Sequence, residues 1–218
     1  MTPSSRSHKD ALTARLDAAP VVPLVQSNDP DEALRISEAL IEGGLSVLEV
    51  VLRTDRALAC VRAIADAFPN AEVGAGTVLD ADQAGRALDH GAGFLVSPGL
   101  DDGVVEAARS AGVPILPGIA TATELQRAWN MGLRTVKFFP AGLSGGPAML
   151  KALSSVFGGV RFMPTGGVSA DNLSDYLAIP AVLACGGSWL TPLASIEAGD
   201  YQTITELARE ARAIAERR

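Results

Sequence analysis

Lysine is scarce in this sequence. Of its 18 basic residues, 15 are arginine and only three are lysine, namely Lys9, Lys137 and Lys151. Lys9 lies in a polar N-terminal stretch and Lys151 in a helical pattern, which are ordinary places for a solvated cation. Lys137 lies in the apolar segment Thr-Val-Lys-Phe-Phe-Pro, where a surface lysine is not expected. Its position marks it as a candidate functional residue.

Cysteine and histidine are scarcer still, with two residues of each. Cys60 and Cys185 lie far apart, each in an apolar segment and without the spacing of a metal site. We expect two reduced thiols in the core of a cytoplasmic protein. His8 and His90 are too few for a histidine-ligated metal site or a Ser-His-Asp triad, so we expect no bound metal.

Long apolar runs and excess positive charge are also missing. No stretch approaches the roughly 18 to 20 apolar residues that span a bilayer, and residues 1–10 lack the apolar segment of a secretory signal. The net charge of −7 disfavours nucleic acid as a partner. We therefore expect neither a membrane nor a nucleic-acid partner.

The sequence does contain a regular alternation of short β-branched runs and amphipathic helical stretches. The predicted strands are 21–25, 47–52, 72–77, 93–97, 114–118, 135–139, 160–165 and 181–186. The predicted helices are 31–43, 55–67, 80–89, 101–111, 121–131, 146–157, 170–178 and 200–216. Strands begin roughly every 21 to 26 residues, which is the length of one strand–helix unit.

Eight such units in series predict an α/β protein of one domain, residues 1–218, folded as a (β/α)8 TIM barrel. Residues 8–18 are predicted to form an extra N-terminal helix over the bottom of the barrel, and residues 1–8 a flexible tail. A doubly wound open sheet is the alternative fold, but no GxGxxG dinucleotide fingerprint follows the first strand.

Polar residues and glycines cluster where the predicted strands end. In parallel barrels these carboxyl ends, called the mouth below, form the active site, and phosphate sites often follow the seventh and eighth strands. The residues at these ends are Glu49, Arg53, Thr77, Ser97, Lys137, Thr165, Gly166, Gly167, Gly186, Gly187 and Ser188. They come from many strands, as a shared site requires.

Lys137 has two interpretations. Burial in a strand strips water from an ammonium group and favours the neutral amine, which attacks carbonyl carbons to form a Schiff base. A buried salt bridge with Glu49, or a side chain that reaches solvent at the strand end, explains the same position without chemistry. The residue pattern alone leaves both interpretations open.

Glu49 and Arg53 lie four positions apart, so both point to one face if the strand continues through Arg53. A carboxylate inside the barrel can move protons, and an arginine at the rim can bind a substrate carboxylate through two hydrogen bonds. A simple Glu49–Arg53 ion pair across the mouth is the alternative. Thr77 is a candidate to hydrogen-bond a substrate carboxylate or carbonyl, or to cap the helix that follows.

Two glycine-rich turns, Gly166-Gly167 and Gly186-Gly187-Ser188, follow the seventh and eighth predicted strands. Without Cβ atoms their N–H groups can approach an anion closely, and Ser188 adds a hydroxyl donor. A helix start after each turn would add favourable dipole charge. Tight turn geometry explains either turn alone, but the two together predict a phosphate-bearing substrate. Three further residues are candidates to line the pocket: Thr165, Pro98 and Phe139.

Seven segments together resemble the bacterial 2-dehydro-3-deoxy-phosphogluconate aldolase family, also called KDPG/KHG aldolases. The matching segments are 48–54 (Leu-Glu-Val-Val-Leu-Arg-Thr), 74–78, 97–99, 117–119, 137–141 (Lys-Phe-Phe-Pro-Ala), 164–167 and 186–189. They follow the family order from about residue 20 to the C-terminus, so the resemblance covers nearly the whole chain.

The resemblance implies a class I aldolase, a carbon–carbon lyase that works through a Schiff base without a metal or cofactor. Its substrate would be 2-dehydro-3-deoxy-6-phospho-D-gluconate (KDPG), cleaved to pyruvate and D-glyceraldehyde 3-phosphate in the Entner–Doudoroff pathway. By motif, Lys137 corresponds to the Schiff-base lysine and Glu49 to the general acid/base. Arg53 and Thr77 correspond to the pyruvate carboxylate site, and the two glycine turns with Ser188 to the phosphate site. Family members are commonly homotrimers.

Three positions depart from the residues that many or some family members carry. Val51 replaces a threonine, Ala120 replaces a serine, and Gln26 follows Val25 where some members have an arginine. Because these positions border the mouth, 4-hydroxy-2-oxoglutarate (KHG) or 2-dehydro-3-deoxy-6-phosphogalactonate is an alternative substrate. From another class, a phosphate-binding barrel isomerase or epimerase would use acid/base residues without a covalent step. A non-catalytic barrel that binds a phosphometabolite is a further alternative. The buried lysine argues against it, because a binding protein does not need a desolvated nucleophile.

Overall fold

Strands and helices alternate along residues 12–217, the part of the chain that the computed structural model describes. The strands are β1 (Val21–Val25), β2 (Val47–Val51), β3 (Glu72–Gly76), β4 (Phe94–Val96), β5 (Ile115–Leu116), β6 (Gly118–Ile119), β7 (Thr135–Phe138), β8 (Arg161–Pro164) and β9 (Cys185–Gly187). The predicted tail, residues 1–8, and the first residues of the predicted N-terminal helix lie outside the described residues.

The helices fill the intervals between strands. They are α1 (residues 12–18), α2 (Pro30–Glu42), α3 (Ala57–Ala67), α4 (Ala81–Asp89), α5 (Asp102–Ala111), α6 (Ala122–Asn130), α7 (Gly146–Val156), α8 (Leu173–Leu177), α9 (Leu193–Glu197) and α10 (Tyr201–Ala215). Within residues 12–217, no helix is long and apolar enough to cross a membrane.

The strand pairs are all parallel. Six strands form one sheet in the order β5-β4-β3-β2-β1-β9, and three form a second in the order β6-β7-β8. Two isolated bridges, Phe162 with Val182 and Thr165 with Gly186, join the second sheet to the chain around β9. The architecture is therefore an α/β fold with a parallel half-barrel sheet.

The predicted strands recur with two changes. Pro117 divides the predicted fifth strand into β5 and β6, because proline has no N–H to donate to a sheet. The last strand was predicted from residue 181 but begins at Cys185, with only a single bridge at Val182 before it. The structure adds α9, whose five residues are too few to show a helical period in the sequence.

An apolar cluster contains side chains from both sheets and from α1. Its members are Leu12, Leu16, Val22, Val47, Phe94, Val96, Leu116, Met163, Leu183 and Ala184. Leu12 and Leu16 come from α1, so this helix packs against the cluster. Side chains alternate along a strand, and Val47 therefore shares a face of β2 with Glu49, two residues nearer the mouth.

A larger apolar cluster lies between the strands and the surrounding helices, and it includes both cysteines. Cys60 and Cys185 are buried and unbridged, which agrees with the prediction of two core thiols. Burial raises the pKa of the Cys60 thiol, so this sulfur is kept in its neutral, weakly reactive form. Its thiol contacts the carbonyl oxygen of Ser27 at 3.6 Å.

A capping box fixes the connection from β6 to α6. The Glu124 carboxylate accepts from the backbone N–H of Ala120 at 2.8 Å and of Thr121 at 2.9 Å, while the Thr121 hydroxyl accepts from the N–H of Glu124. This connection follows the strand whose Gly118 pairs with Lys137 in β7. The cap therefore helps to hold the backbone beside the unusual lysine.

The Glu124→Ala variant is expected to lower the free energy of unfolding by about 1 kcal/mol near neutral pH, and by less in acid. The N–H of Ala120 is the main cause that lowers the pKa of Glu124, with the hydrogen bonds from Thr121 adding to it. Because the folded-state pKa is below the unfolded one, the stabilisation is complete above the unfolded value. It disappears as pH falls through the folded value.

Urea denaturation of the two proteins across the acid range measures this effect. The Glu210→Ala variant, which alters an exposed glutamate of α10, serves as the control and should show no comparable loss. A penalty for Glu124→Ala that stayed constant down to the lowest pH would contradict a stabilising role for the ionised carboxylate.

Candidate active site

The centre of the site is a contact between Lys137 of β7 and Glu49 of β2. Lys137 Nζ lies 3.3 Å from Glu49 Oε1, and the two side chains are 4% and 0% exposed. Glu49 thus pairs with the lysine rather than with Arg53, the alternative partner considered from the sequence. Lysine and glutamate are both rarely buried in a protein core, and here a buried residue of each kind is in direct contact with the other.

The second oxygen of Glu49 has no such partner. Oε2 is buried and receives no hydrogen bond from any residue in the described part of the chain. Buried carboxylate oxygens normally accept at least one hydrogen bond, so this oxygen is free to interact with a water molecule or a substrate hydroxyl. The ring of Phe139 lies beside the pair, with its centroid 5.4 Å from Lys137 Nζ, within the range of a cation–π contact.

Gly76, at the end of β3, gives the Glu49 carboxylate its space. A Cβ atom on Gly76 would lie only 2.1 Å from Glu49 Oε1, so any other residue would displace the carboxylate. Gly76 pairs with Val51 on the neighbouring strand, which brings its backbone against the Glu49 side chain. Gly76 therefore leaves the space that the Glu49 carboxylate occupies.

Arg53 and Thr77 meet at the mouth. Arg53 Nε donates a hydrogen bond to Thr77 Oγ1 at 3.1 Å, and Arg53 is exposed. The expectation that Glu49 and Arg53 point to one face required the strand to continue through Arg53. Instead, β2 ends at Val51, and the N–H of Arg53 donates back to the Val51 carbonyl. Thr77 has φ 60°, a left-handed conformation that costs a non-glycine residue about 1–2 kcal/mol.

The loop that carries Arg53 is tied to the loop after β1. Thr54 Oγ1 donates to the Ser27 carbonyl at 2.7 Å, and the N–H of Arg56 donates to Asn28 Oδ1 at 3.0 Å. These hydrogen bonds limit where the Arg53 backbone can lie. No sequence pattern predicts these hydrogen bonds, since they join residues about 27 positions apart whose proximity depends on the β1–β2 pairing.

The glycine turn after β8 lies beside the last strand. Gly166 and Gly167 have φ 90° and 83°, a backbone that favours glycine in both positions. Thr165 bridges to Gly186, and a Cβ on Gly186 would lie 2.3 Å from Thr165 Oγ1. The two glycine turns predicted as a phosphate site are therefore neighbours, and Thr165 is buried between them.

The second turn is shaped by an aromatic ring. A Cβ on Gly187 would lie 1.7 Å from the ring of Trp189, so the glycine leaves the space that the indole fills. Ser188, between them, is exposed. Helices follow both turns but begin only at Leu173 and Leu193, six residues after Gly167 and Gly187, and each has five residues. The helix starts do not follow directly on the turns.

Two of the predicted lining residues lie at distinct parts of the rim. Phe139 links the lysine to the first glycine turn, because a Cβ on Gly166 would lie 3.3 Å from its ring. Pro98 packs on the β6 strand, since a Cβ on Gly118 would lie 2.0 Å from the Pro98 carbonyl oxygen. Within residues 12–217, no group of three or more His, Cys, Asp or Glu side chains is placed to hold a metal ion.

Known proteins resemble this chain in sequence and in fold. Residues 12–207 match the family of KDPG and KHG aldolases. The chain is 47% identical over 206 residues to the 2-dehydro-3-deoxy-phosphogluconate aldolase of Dickeya dadantii, which covers 94% of this chain and 97% of that protein.

Two solved structures are also similar. KDPG aldolase from Legionella pneumophila, crystallised with pyruvate captured as a covalent carbinolamine, has a TM-score of 0.88 and 39% identity, and covers 92% of this chain and 97% of its own. The 2-keto-3-deoxy-6-phosphogluconate aldolase of Zymomonas mobilis with 3-phosphoglycerate has a TM-score of 0.86 and 42% identity, and covers 92% of this chain and 94% of its own.

The fold and the site define an α/β protein with a buried lysine–carboxylate pair between parallel strands. More narrowly, the chain belongs to the KDPG and KHG aldolase family. The resemblance inferred from the seven sequence segments is thereby confirmed.

The buried pair predicts a characteristic pattern of stability. The Lys137→Met variant is expected to lower the free energy of unfolding by about 3–5 kcal/mol, because the buried Glu49 carboxylate loses its partner. The double variant Lys137→Met/Glu49→Leu should regain most of this loss, since two apolar side chains need no partner. Urea denaturation of the wild type, both single variants and the double variant measures the coupling. Losses that simply add would contradict the interaction.

Proposed function

We propose that this protein is a class I aldolase that cleaves KDPG to pyruvate and D-glyceraldehyde 3-phosphate, the cleavage step of the Entner–Doudoroff pathway. The observation that carries the proposal is the buried contact of Lys137 Nζ with Glu49 Oε1 at 3.3 Å. A carboxylate at this distance can accept a proton from the ammonium and leave a neutral amine, which is the nucleophile that Schiff-base formation requires.

The first half of the mechanism builds the Schiff base. Glu49 takes a proton from Lys137, and the neutral amine attacks C2 of the substrate to form the Nζ–C2 bond. Glu49 returns the proton to the former ketone oxygen, giving a carbinolamine. Glu49 then takes a proton from the nitrogen and passes it to the hydroxyl group, which leaves as water. A cationic iminium remains on Lys137.

The second half breaks the carbon–carbon bond. Glu49 takes the proton of the C4 hydroxyl, the C3–C4 bond breaks, and its electron pair moves to the iminium to give an enamine. D-Glyceraldehyde 3-phosphate leaves as the aldehyde. Glu49 then protonates C3, and water attacks C2 of the new iminium. The Glu49 carboxylate takes up the proton that this hydrolysis frees, as pyruvate leaves and Lys137 returns as a neutral amine. The unpartnered Oε2 of Glu49 is suited to contact the hydroxyl groups in these steps.

The two ends of the substrate would bind at the two polar parts of the mouth. Arg53 is exposed beside Thr77, and its planar guanidinium can bind the C1 carboxylate with paired hydrogen bonds. Gly166, Gly167, Gly186, Gly187 and Ser188 would bind the phosphate, while Thr165, Pro98 and Phe139 line the space between. The pyruvate carbinolamine in the Legionella relative and the 3-phosphoglycerate in the Zymomonas relative support a substrate with a 2-oxo acid end and a phosphate end.

The same proposal includes a closed (β/α)8 barrel of one domain, residues 1–218, with α1 as an extra helix at its amino end. It is supported by the direct pairing of β1 with β9 and by the Thr165–Gly186 bridge between the two sheets. That order does not suit a doubly wound open sheet, in which the first and last strands do not pair. By family resemblance we further propose a cytoplasmic homotrimer that needs no cofactor and has no nucleic-acid or membrane partner.

The three positions that depart from the family residues bear on which substrate the protein prefers. Val51 is buried against Gly76, Ala120 is half-buried with its N–H on Glu124, and Gln26 is exposed. KHG and the galactonate analogue would pass through the same Schiff-base steps. A pyruvate assay coupled to lactate dehydrogenase, run with KDPG, KHG and the galactonate analogue, ranks them by kcat/KM. An isomerase or epimerase would release no pyruvate from any of them.

Borohydride trapping tests the covalent step. Reduction in the presence of pyruvate is expected to add one pyruvyl group to the wild type, because the iminium becomes a stable secondary amine. The Lys137→Met variant should take up no pyruvate, whereas the control Lys151→Met, which alters an exposed lysine, should be labelled like the wild type. Intact-mass spectrometry reads the result. An unlabelled wild type, or a labelled Lys137→Met protein, would overturn the mechanism.

Gly76 provides a test of the position of the carboxylate. The Gly76→Ala variant is expected to lower kcat about 100-fold, because its Cβ must displace Glu49 Oε1 and general acid/base catalysis depends on that placement. The matched control is Gly85→Ala in α4, whose Cβ would meet no atom within 4 Å. It should keep full activity and gain about 0.5–1 kcal/mol of stability. Comparable kcat values for the two variants would refute the steric argument.

A further inference from the structure

Two carbonyl groups of the turn after β8 are anchored to the loop after β7. The Thr165 carbonyl accepts from the N–H of Ala141, and the Gly166 carbonyl from the N–H of Gly142, both at 2.8 Å. The C=O and N–H of a trans peptide unit point in opposite directions, so each anchored carbonyl also fixes the N–H of the following residue. The N–H groups of Gly166 and Gly167 therefore point away from the β7 loop.

Asn172 anchors the next carbonyl in the same turn. Its Nδ2 donates to the Gly167 carbonyl at 2.9 Å, and its Oδ1 accepts from the N–H of Ser169 at 2.9 Å. The amide is thus held at both ends. By the same peptide geometry, the bond to Gly167 fixes the direction of the Val168 N–H.

Two successive N–H groups of this turn, those of Gly167 and Val168, have fixed directions and no protein acceptor. The Gly166 N–H is directed at Gly186 in the bridge between Thr165 and Gly186, but across residues 12–217 neither a carbonyl nor a side chain accepts from the N–H of Gly167 or Val168. Successive backbone donors of this kind make a binding site for an anion. Of these two donors, only the Val168 N–H depends on a side chain, that of Asn172.

We infer that Asn172 is a positioning residue for phosphate recognition, which presents the Val168 N–H as a second backbone donor beside that of Gly167 and so sets the preference for phosphorylated substrates. The inference rests on the proposed function. KHG shares the 2-oxo acid end of KDPG but has no phosphate, so the contribution of Asn172 applies to KDPG alone. Asn172 touches neither Lys137 nor Glu49 and leaves the bond-breaking steps unchanged.

Kinetics with the two substrates test the inference. The Asn172→Ala variant should raise KM for KDPG roughly tenfold, the effect of losing one hydrogen bond to a charged group, with kcat within about twofold. KM for KHG should stay at the wild-type value. The Asn172→Asp variant keeps an acceptor for Ser169 but has no N–H for the Gly167 carbonyl, so it should show the same selective loss and guard against a folding defect.

Asp101→Ala is the matched control. Asp101, like Asn172, lies at the N-cap position of a helix that follows a strand, and its side chain accepts from the N–H of Val104 at 2.9 Å, but it makes no hydrogen bond to the turn after β8. Its removal should cost a similar amount of stability without changing the ratio of the two KM values. A selective KM rise in Asp101→Ala as well would overturn the role of Asn172.

Titration with inorganic phosphate gives a readout that does not depend on activity. Calorimetry should show weaker phosphate binding by Asn172→Ala than by the wild type and Asp101→Ala. Unchanged phosphate affinity, or equal KM rises for KDPG and KHG, would overturn the inference. A wild type that releases pyruvate from neither substrate would instead overturn the proposed function, while the phosphate titration would still decide the role of Asn172.

Discussion

Two opposite charges in contact, away from water, impose the main constraint on this fold. Removing ions such as the Lys137 ammonium and the Glu49 carboxylate from water costs on the order of several kcal/mol each, and only a close, fixed contact offsets that cost. The partners belong to β7 and β2, which lie in different sheets. Their contact therefore depends on the arrangement of the intervening strands, and on a Gly76 that leaves room for the carboxylate oxygen.

Around this fixed centre, the polar groups of the mouth are held by hydrogen bonds between neighbouring loops. The loop with Arg53 is tied through Thr54 to the carbonyl of Ser27, and the turn at Gly167 is held by Asn172. These ties join backbone to side chain and add no charge to the site. Binding groups at the two ends of the mouth are consequently supported by separate sets of contacts, while the central pair is supported by the strands.

Much of the architecture follows from the periodicity of the sequence, since strands and helices recur at nearly the predicted positions. The fifth strand was predicted as one element, although Pro117 in its middle already carried the signal for the break. Lys137 and Glu49 were recognisable as charged residues in apolar strands. The turn that redirects Arg53 toward Thr77 and the bond from Asn172 to Gly167 were not, because they depend on the spacing of loops in three dimensions.

The apolar cluster that contains Val47 has a consequence for how this scaffold tolerates substitution. Val47 and Glu49 share one face of β2, so about 7 Å of a single strand separates a packing layer from a chemical layer. Substitutions in the chemical layer, at the mouth, leave the hydrophobic contacts of the packing layer intact. The side chains at the mouth can therefore be changed to accept other aldehydes while the packing of the apolar cluster stays the same.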